Sequence, residues 1–192
     1  MAFPDLWGEG TALIAVAAKG GNDVEFSSAI NTIDIDMGDK DFDIIALVRG
    51  GRLEKPLPEA ETVITFEGYP VNLDTTSTDV IQRFFTKSAS WDTTEPLSVS
   101  NTRNRENFRV VILWTEDTSV TSAAAQVPSG SEALRAIFIN CRLISVKPTF
   151  TDNELKFTFK FKCAPYQKDG SSNITWESSD GSNALSAVGS YS

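Results

Sequence analysis

The sequence predicts an all-β domain (β-rich α+β): two packed antiparallel sheets forming a sandwich or partly open barrel, with one flanking α-helix. Three observations carry this expectation. Turn-forming residues recur at short intervals, with β-branched and aromatic runs between them. The stretch ELKFTFKFK alternates strictly, Leu155, Phe157, Phe159 and Phe161 against Lys156, Thr158, Lys160 and Lys162, as a strand with one buried face must. Finally, helical spacing is confined to one short segment. A length of 192 residues with 41% hydrophobic content suits one domain with a real core.

In chain order, the candidate strands are Thr11 to Ala18, Val24 to Asp36, Asp41 to Arg49, Glu61 to Asn72, Phe108 to Glu116, Ala133 to Val146 and Glu154 to Cys163. The helix is expected from Asp79 to about Lys87. Asp79 with Gln82 resembles a capping box, and Val80/Phe84 and Ile81/Phe85 repeat at i, i+4 to give one apolar stripe. The strand FRVVILW, Phe108 to Trp114, is apolar on both faces and must be covered from both sides. Ile44 to Val48 loses its alternation in the same way. A neighbouring subunit or intrachain loops could supply the second cover.

Gly50, Gly51, Arg52, Leu53, Glu54, Lys55, Pro56, Leu57 and Pro58 read as a protruding hairpin loop with no ladder, because two glycines and two prolines interrupt it. Thr115 to Gly130 is polar and Ala/Ser-rich, a second loop. The expected organisation is one domain over residues 1–168, with an N-terminal arm at 1–10. Residues 169–192 form a polar C-terminal tail or arm, which Trp176 and Tyr191 could anchor.

Two hairpins are legible. In IDIDMGDKDFDI, Ile33 to Ile44, a turn at Gly38-Asp39 sets Ile35 opposite Phe42 and Ile33 opposite Ile44. The other face then pairs Asp36 with Asp41 and Asp34 with Asp43. Like charges directly across a sheet destabilise it, so the four carboxylates ask for a reason. A calcium ion, a glycosidase carboxylate pair, a surface that repels phosphate, lysines from another chain and simple solvation all remain open.

In the second hairpin the apolar positions switch from odd (Ile137, Ile139, Cys141, Leu143) to even (Ile144, Val146, Pro148, Phe150). That implies a β-bulge near Leu143-Ile144. A turn at Asp152-Asn153 then sets Phe150 opposite Leu155, Val146 opposite Phe159, Ile144 opposite Phe161, and Cys141 opposite Cys163. A disulfide is geometrically conceivable, but two reduced, buried thiols are expected of a cytosolic product.

Several function classes lose support. The chain has no histidine, which removes the usual general base, the usual zinc ligand and the partner of a nucleophilic Ser or Cys. No phosphate-cradling glycine motif or nucleophile elbow is present. A net charge of -9 opposes general nucleic-acid binding. LIAVAA, Leu13 to Ala18, is too short to span a bilayer, and the first residues do not resemble a secretory signal. The expectation is a non-enzymatic protein with no cofactor, no bound metal and no membrane partner, made in a cytosol.

VITFEGYPVN (Val63 to Asn72) leading into the helical segment, together with LISVKPTFTDNELKFTFKFKCAPY (Leu143 to Tyr166), resembles the major tail tube proteins of tailed viruses and the related tubes of contractile injection systems. The order of elements from about Gly10 to Tyr166 fits the same family. The resemblance implies a homo-oligomer: hexameric rings stacked into a hollow tube, with tape measure protein and DNA in the lumen. Sheath, tail terminator and baseplate proteins are the implied further partners. The implied location is the virion tail, assembled in the host cytoplasm.

On this basis the loop Gly50 to Pro58 is a candidate ring-stacking loop. Asp34, Asp36, Asp41 and Asp43 form a candidate lumen or inter-subunit acidic patch. Lys156, Lys160 and Lys162 form a candidate inter-subunit basic row. A tube carrying protein cargo and a carbohydrate-binding β-sandwich are the alternatives.

Overall fold

The computed structural model describes residues 11–20, 23–25, 33–39, 42–46, 52–56, 60–68, 106–151 and 153–192. They form ten strands: β1 (Thr11–Ala18), β2 (Asp23–Glu25), β3 (Ile33–Asp36), β4 (Phe42–Ala46), β5 (Arg52–Pro56), β6 (Thr62–Gly68), β7 (Phe108–Thr115), β8 (Glu132–Thr151), β9 (Glu154–Cys163) and β10 (Ile174–Asp180). The helix expected at Asp79 to Lys87 lies outside the described residues.

In place of two separate sheets, the main body is one antiparallel sheet curled into a half-barrel. Its order is β2-β1-β7-β8-β9-β6-β3, with β10 also paired to β8. The cause is β8, whose 20 residues serve two leaflets. Ala133 to Cys141 pairs with β7 and Glu132 to Phe138 with β10, whereas Arg142 to Thr151 pairs with β9. Register shifts fall on both sides of the handover, opposite Phe108/Val110 and at Leu143/Ser145. Asn140, between them, has φ 57. Extra residues in a strand bend it and sharpen its twist, so β8 turns a corner and the leaflets face each other.

The core lies between the leaflets. Ile14, Val16, Val110, Ile112, Ala136 and Phe138 come from the first, and Ile64, Phe66, Val146, Phe159 and Phe161 from the second. The aromatic side of β9 supplies its centre. Phe66 stacks on Phe159 with centroids 5.2 Å apart and on Phe161 at 6.0 Å, and Phe108 meets Phe161 edge-on at 5.8 Å. Such pairs contribute about 0.5–1.5 kcal/mol each beyond burial.

The doubly apolar strand β7 is covered on its back by this same chain. Leu13, Ala15, Val111 and Leu113 pack under Val120, Ala123, Ala124 and Val127 of the loop after β7, and under Leu185 and Val188 near the C-terminus. Residues 169–192, read from sequence as a polar tail or arm, are bound to the body. β10 pairs with β8; beyond it, Leu185 and Val127 exchange backbone hydrogen bonds of 3.0 Å each, and Val188 N–H donates to Ala124 O at 2.8 Å.

Arg135 fastens this layer. It is fully buried, its Nε and Nη2 reach Glu177 Oε2 at 2.9 and 2.5 Å, and it donates to Ala125 O at 3.0 Å and to Ser186 O at 2.6 Å. Tyr191, also buried, accepts from Asn140 N–H at 3.2 Å while Gly20 N–H donates to Tyr191 O at 2.7 Å.

Two sequence expectations are corrected. β3 does not pair with β4: Ile33 lies opposite Phe66 and Ile35 opposite Ile64 on β6, and β4 pairs with β5. Gly38 has φ 74, but the chain runs on beside the residues before β6, Ala60 N–H donating to Asp39 O, and the apolar side of β3 is satisfied by β6 and the core. Residues 52–56, read as a loop without a ladder, form one arm of a β4–β5 hairpin, with Phe42 opposite Pro56 and Ala46 opposite Arg52. Proline is compatible with the end of an edge strand.

The second hairpin follows its expected register, with Phe150 opposite Leu155 and Val146 opposite Phe159. The bulge puts Leu143, not Ile144, opposite Phe161. Cys141 and Cys163 are both buried and free, and the Cys163 thiol donates to Ile139 O at 3.1 Å.

Candidate functional site

The outward face of the second leaflet collects five of the charged residues singled out from sequence. Strand alternation dictates which ones. With Phe157, Phe159 and Phe161 turned inward, Lys156, Lys160 and Lys162 point out. With Ile33 and Ile35 packed on the core, Asp34 and Asp36 are exposed on the same face. The register then sets them in rows. Asp36 lies opposite Val63, Val63 opposite Lys162, and Lys162 opposite Arg142; likewise Asp34, Thr65, Lys160 and Ser145 form the next row. The acidic strand and the basic strand thus share one face of one chain, two strand spacings or about 10 Å apart.

The bulge in β8 adds two cations that the sequence reading did not include. Arg142 precedes it and Lys147 follows it, and the register shift puts both outward, opposite Lys162 and Thr158. The phase switch at Leu143-Ile144 was the signal that could have revealed them. The face is therefore segregated: Asp34, Asp36 and Glu67 on β3 and β6, against Arg142, Lys147, Lys156, Lys160 and Lys162 on β8 and β9. Arg142 directly opposite Lys162 is a like-charge pair, and Glu61 relieves it with its carboxylate 3.1 Å from Lys162 Nζ. Both partners of that ion pair are about half exposed, so it contributes little to stability.

The remaining candidates lie elsewhere. Asp43 is on β4, at the register position opposite Lys55, so it is not the cross-strand partner of Asp34, which lies opposite Thr65. Asp41, Gly50, Gly51, Leu57 and Pro58 lie outside the described residues; Arg52, Leu53, Glu54, Lys55 and Pro56 form β5.

The chemistry of the face is electrostatic. Among the described residues no cluster of three or more His, Cys, Asp or Glu side chains is arranged to hold a metal. The carboxylates held below their usual range are in turns, not clefts: Asp117, Asp169 and Asp180 each accept hydrogen bonds from a serine two residues on, Ser119, Ser171 and Ser182. Burial pushes the Cys141 thiol well above its ordinary value, which keeps it protonated and inert. Trp114 and Trp176 stack on each other at 6.1 Å, so they make a packed pair and not a row of sugar platforms. No helix among the described residues is long and apolar enough to cross a membrane.

No protein-family model and no curated protein matches the chain. Solved structures do. A chain in the cryo-EM structure of the anti-feeding prophage baseplate, six-fold symmetrised, superposes with a TM-score of 0.53 and 10% identity, over 92% of this chain and 97% of that one. Looser likenesses include the sheath-tube complex of the PVC extracellular contractile injection system (TM-score 0.46, 11% identity, 86% and 88% covered) and a crystal structure of Hcp protein (0.42, 10%, 91% and 94%). What this chain has in common with the anti-feeding prophage baseplate chain is the fold.

Proposed function

We propose that this chain is a structural virion protein. It polymerises with copies of itself, as stacked hexameric rings, into the hollow tail tube through which viral DNA passes during ejection. One observation carries the reading: the half-barrel is open. Among the described residues its path begins at β2 and ends at β3, each paired on one side only. A strand edge of this kind is a template for another chain, and a curled open sheet closes most simply on further copies of itself. In the ring, the acidic β3 edge of one copy lies beside the cationic β8–β9 strands of the next. The β4–β5 hairpin, with the loop Gly50 to Pro58, contacts the adjacent ring. Tape measure protein and DNA occupy the lumen, and sheath, terminator and baseplate proteins bind the outside and the ends.

A second reading, the tube of a contractile injection or secretion system with protein cargo, is favoured by the sources of the structural neighbours. The two share the fold and differ in what passes through the lumen.

Electron microscopy of the purified protein tests the common part. Rings or tubes are expected, and a monodisperse monomer at all concentrations refutes it. Replacing Lys156, Lys160 and Lys162 together by Glu is expected to abolish rings while leaving the circular dichroism spectrum unchanged. Replacing Asp34, Asp36, Asp41 and Asp43 by Asn separates two roles for the acidic residues. Lost ring assembly assigns them to the contact between copies, whereas intact tubes with altered DNA retention assign them to the lumen.

A further inference from the structure

The exposed large apolar side chains of the second leaflet fall at its two opposite ends. At one end the β8–β9 hairpin runs on past β6, whose last register partner is Gly68 opposite Phe157. On this overhang Phe150 is 70% exposed and its cross-strand neighbour Leu155 41%. Both lie on the face that is aromatic core further along, so the hairpin tip is an apolar knob.

At the other end, where Thr62 lies opposite Cys163, the two leaflets leave a cavity of about 250 Å³ between them. Met37, Tyr166, Ile174 and Trp176 give it an apolar lining, and Met37, Tyr166 and Trp176 are each roughly half exposed there. Trp176 is held rigidly, stacked on Trp114 and edge-on to Phe138 at 6.3 Å. Eight residues of β9 separate the knob row from the pocket row, about 27 Å along the strand.

We infer that the Phe150 knob of one copy inserts into the Met37–Trp176 pocket of a second copy, a head-to-tail contact along the strand direction. This rests on the self-assembly reading above and is distinct from the β4–β5 hairpin assigned to ring stacking there. Three features favour a second copy as the occupant. Knob and pocket lie at opposite ends of one sheet, so a translated copy presents one to the other. A contact between two different patches on copies related by translation along the strands has no closing rotation, and so propagates as a filament requires. Charge also matches: Lys147 and Lys156 stand behind the knob, and exposed Asp36, Asp39 and Glu61 flank the strand ends that border the pocket.

The test compares wild type with Phe150→Asp and Met37→Glu, both exposed positions, after each variant is shown to keep its unfolding midpoint. Each substitution is expected to raise the protein concentration needed for long tubes by tenfold or more, leaving single rings. In a mixture of Phe150→Cys chains with mass-tagged Met37→Cys chains, oxidation should give a cross-link between a tagged and an untagged chain. Normal tubes from both variants, with no mixed cross-link, overturn the knob and leave the tube assignment standing. Failure of wild type itself to assemble removes both. A knob covered by residues 69–105 of its own chain gives normal tubes and no mixed cross-link, and so also counts against it.

Discussion

Replacing Arg135 by Met should loosen the layer that covers the back of β7. The guanidinium makes four hydrogen bonds to three separate segments, at Glu177, Ala125 and Ser186. Removing one partner of a fully buried ion pair costs about 3–5 kcal/mol. Here the cost is smaller, because the Glu177 side chain is 36% exposed and hydrates when released, and Ser186 lies at the surface. The acceptor at Ala125 is the one left least compensated, at about 1–3 kcal/mol. The expected loss is therefore about 2 kcal/mol, or about 4–8 °C in midpoint temperature for a domain of this size. Urea titration followed by circular dichroism measures it. Limited proteolysis adds a positional readout, since cleavage should begin after Asp180 before the body unfolds. Glu177→Gln alone should lose less than about 1 kcal/mol. A loss below about 0.5 kcal/mol for Arg135→Met, with the C-terminal segment still protected, refutes the fastening role.

Gly38→Ala should cost more than about 1 kcal/mol. Its φ is 74 and an added Cβ would sit 2.9 Å from Ala60 Cβ and from Ala60 O; an unchanged urea midpoint contradicts this. Phe161→Ala, at the centre of the aromatic cluster, should lose about 3–5 kcal/mol, checked by the same titration. Asp117 is held below the ordinary carboxylate range by hydrogen bonds from Ser119 and Ser131. The unfolded chain therefore takes up its proton first as pH falls. The stability this group contributes is complete above the ordinary carboxylate pKa and is lost as pH drops through the lowered value. Asp117→Asn should flatten that part of the profile below the ordinary carboxylate pKa, and an unchanged profile argues against it. Finally, thiol-reagent labelling of Cys141 and Cys163 should proceed at the rate of unfolding; labelling within seconds in the native protein would show that the pair is open.

How much of this was legible in the sequence depended on whether period and turn agreed. β9 announced itself because its alternation is complete and because Asn153, with φ 64, closes a short turn that fixes the register with β8. The bulge was visible as a change of phase. The β3–β4 hairpin failed for the opposite reason. The Gly38-Asp39 pair looked like a turn, but Ile33 and Ile35 fit Phe66 and Ile64 of β6 as well as they would have fitted β4, and local pattern cannot choose between a near partner and a distant one. β10 was invisible because ITWESSD alternates poorly. Its position is set by backbone pairing to β8 and by Arg135, a charge inside an apolar run that sequence patterning treats as an interruption. On the charged face the alternation of β9 and of Ile33 to Asp36 was legible, but β8 runs on past the expected Val146 to Thr151, and the joint placement required the order β8-β9-β6-β3, which no strand encodes by itself.

The self-supplied cover over β7 has a consequence for how an assembly could be fed. A subunit that needed its neighbour to shield Leu113 and Val111 would be adhesive from the moment it was made, and its surplus would precipitate in arbitrary arrangements. In the proposed tube, the contact surfaces among the described residues are sheet edges, a hairpin tip and a striped charged face. Such a subunit can accumulate as a dormant pool and wait for a template. Elongation then becomes a matter of initiation and supply, and the length of the finished structure can be set from outside the subunit.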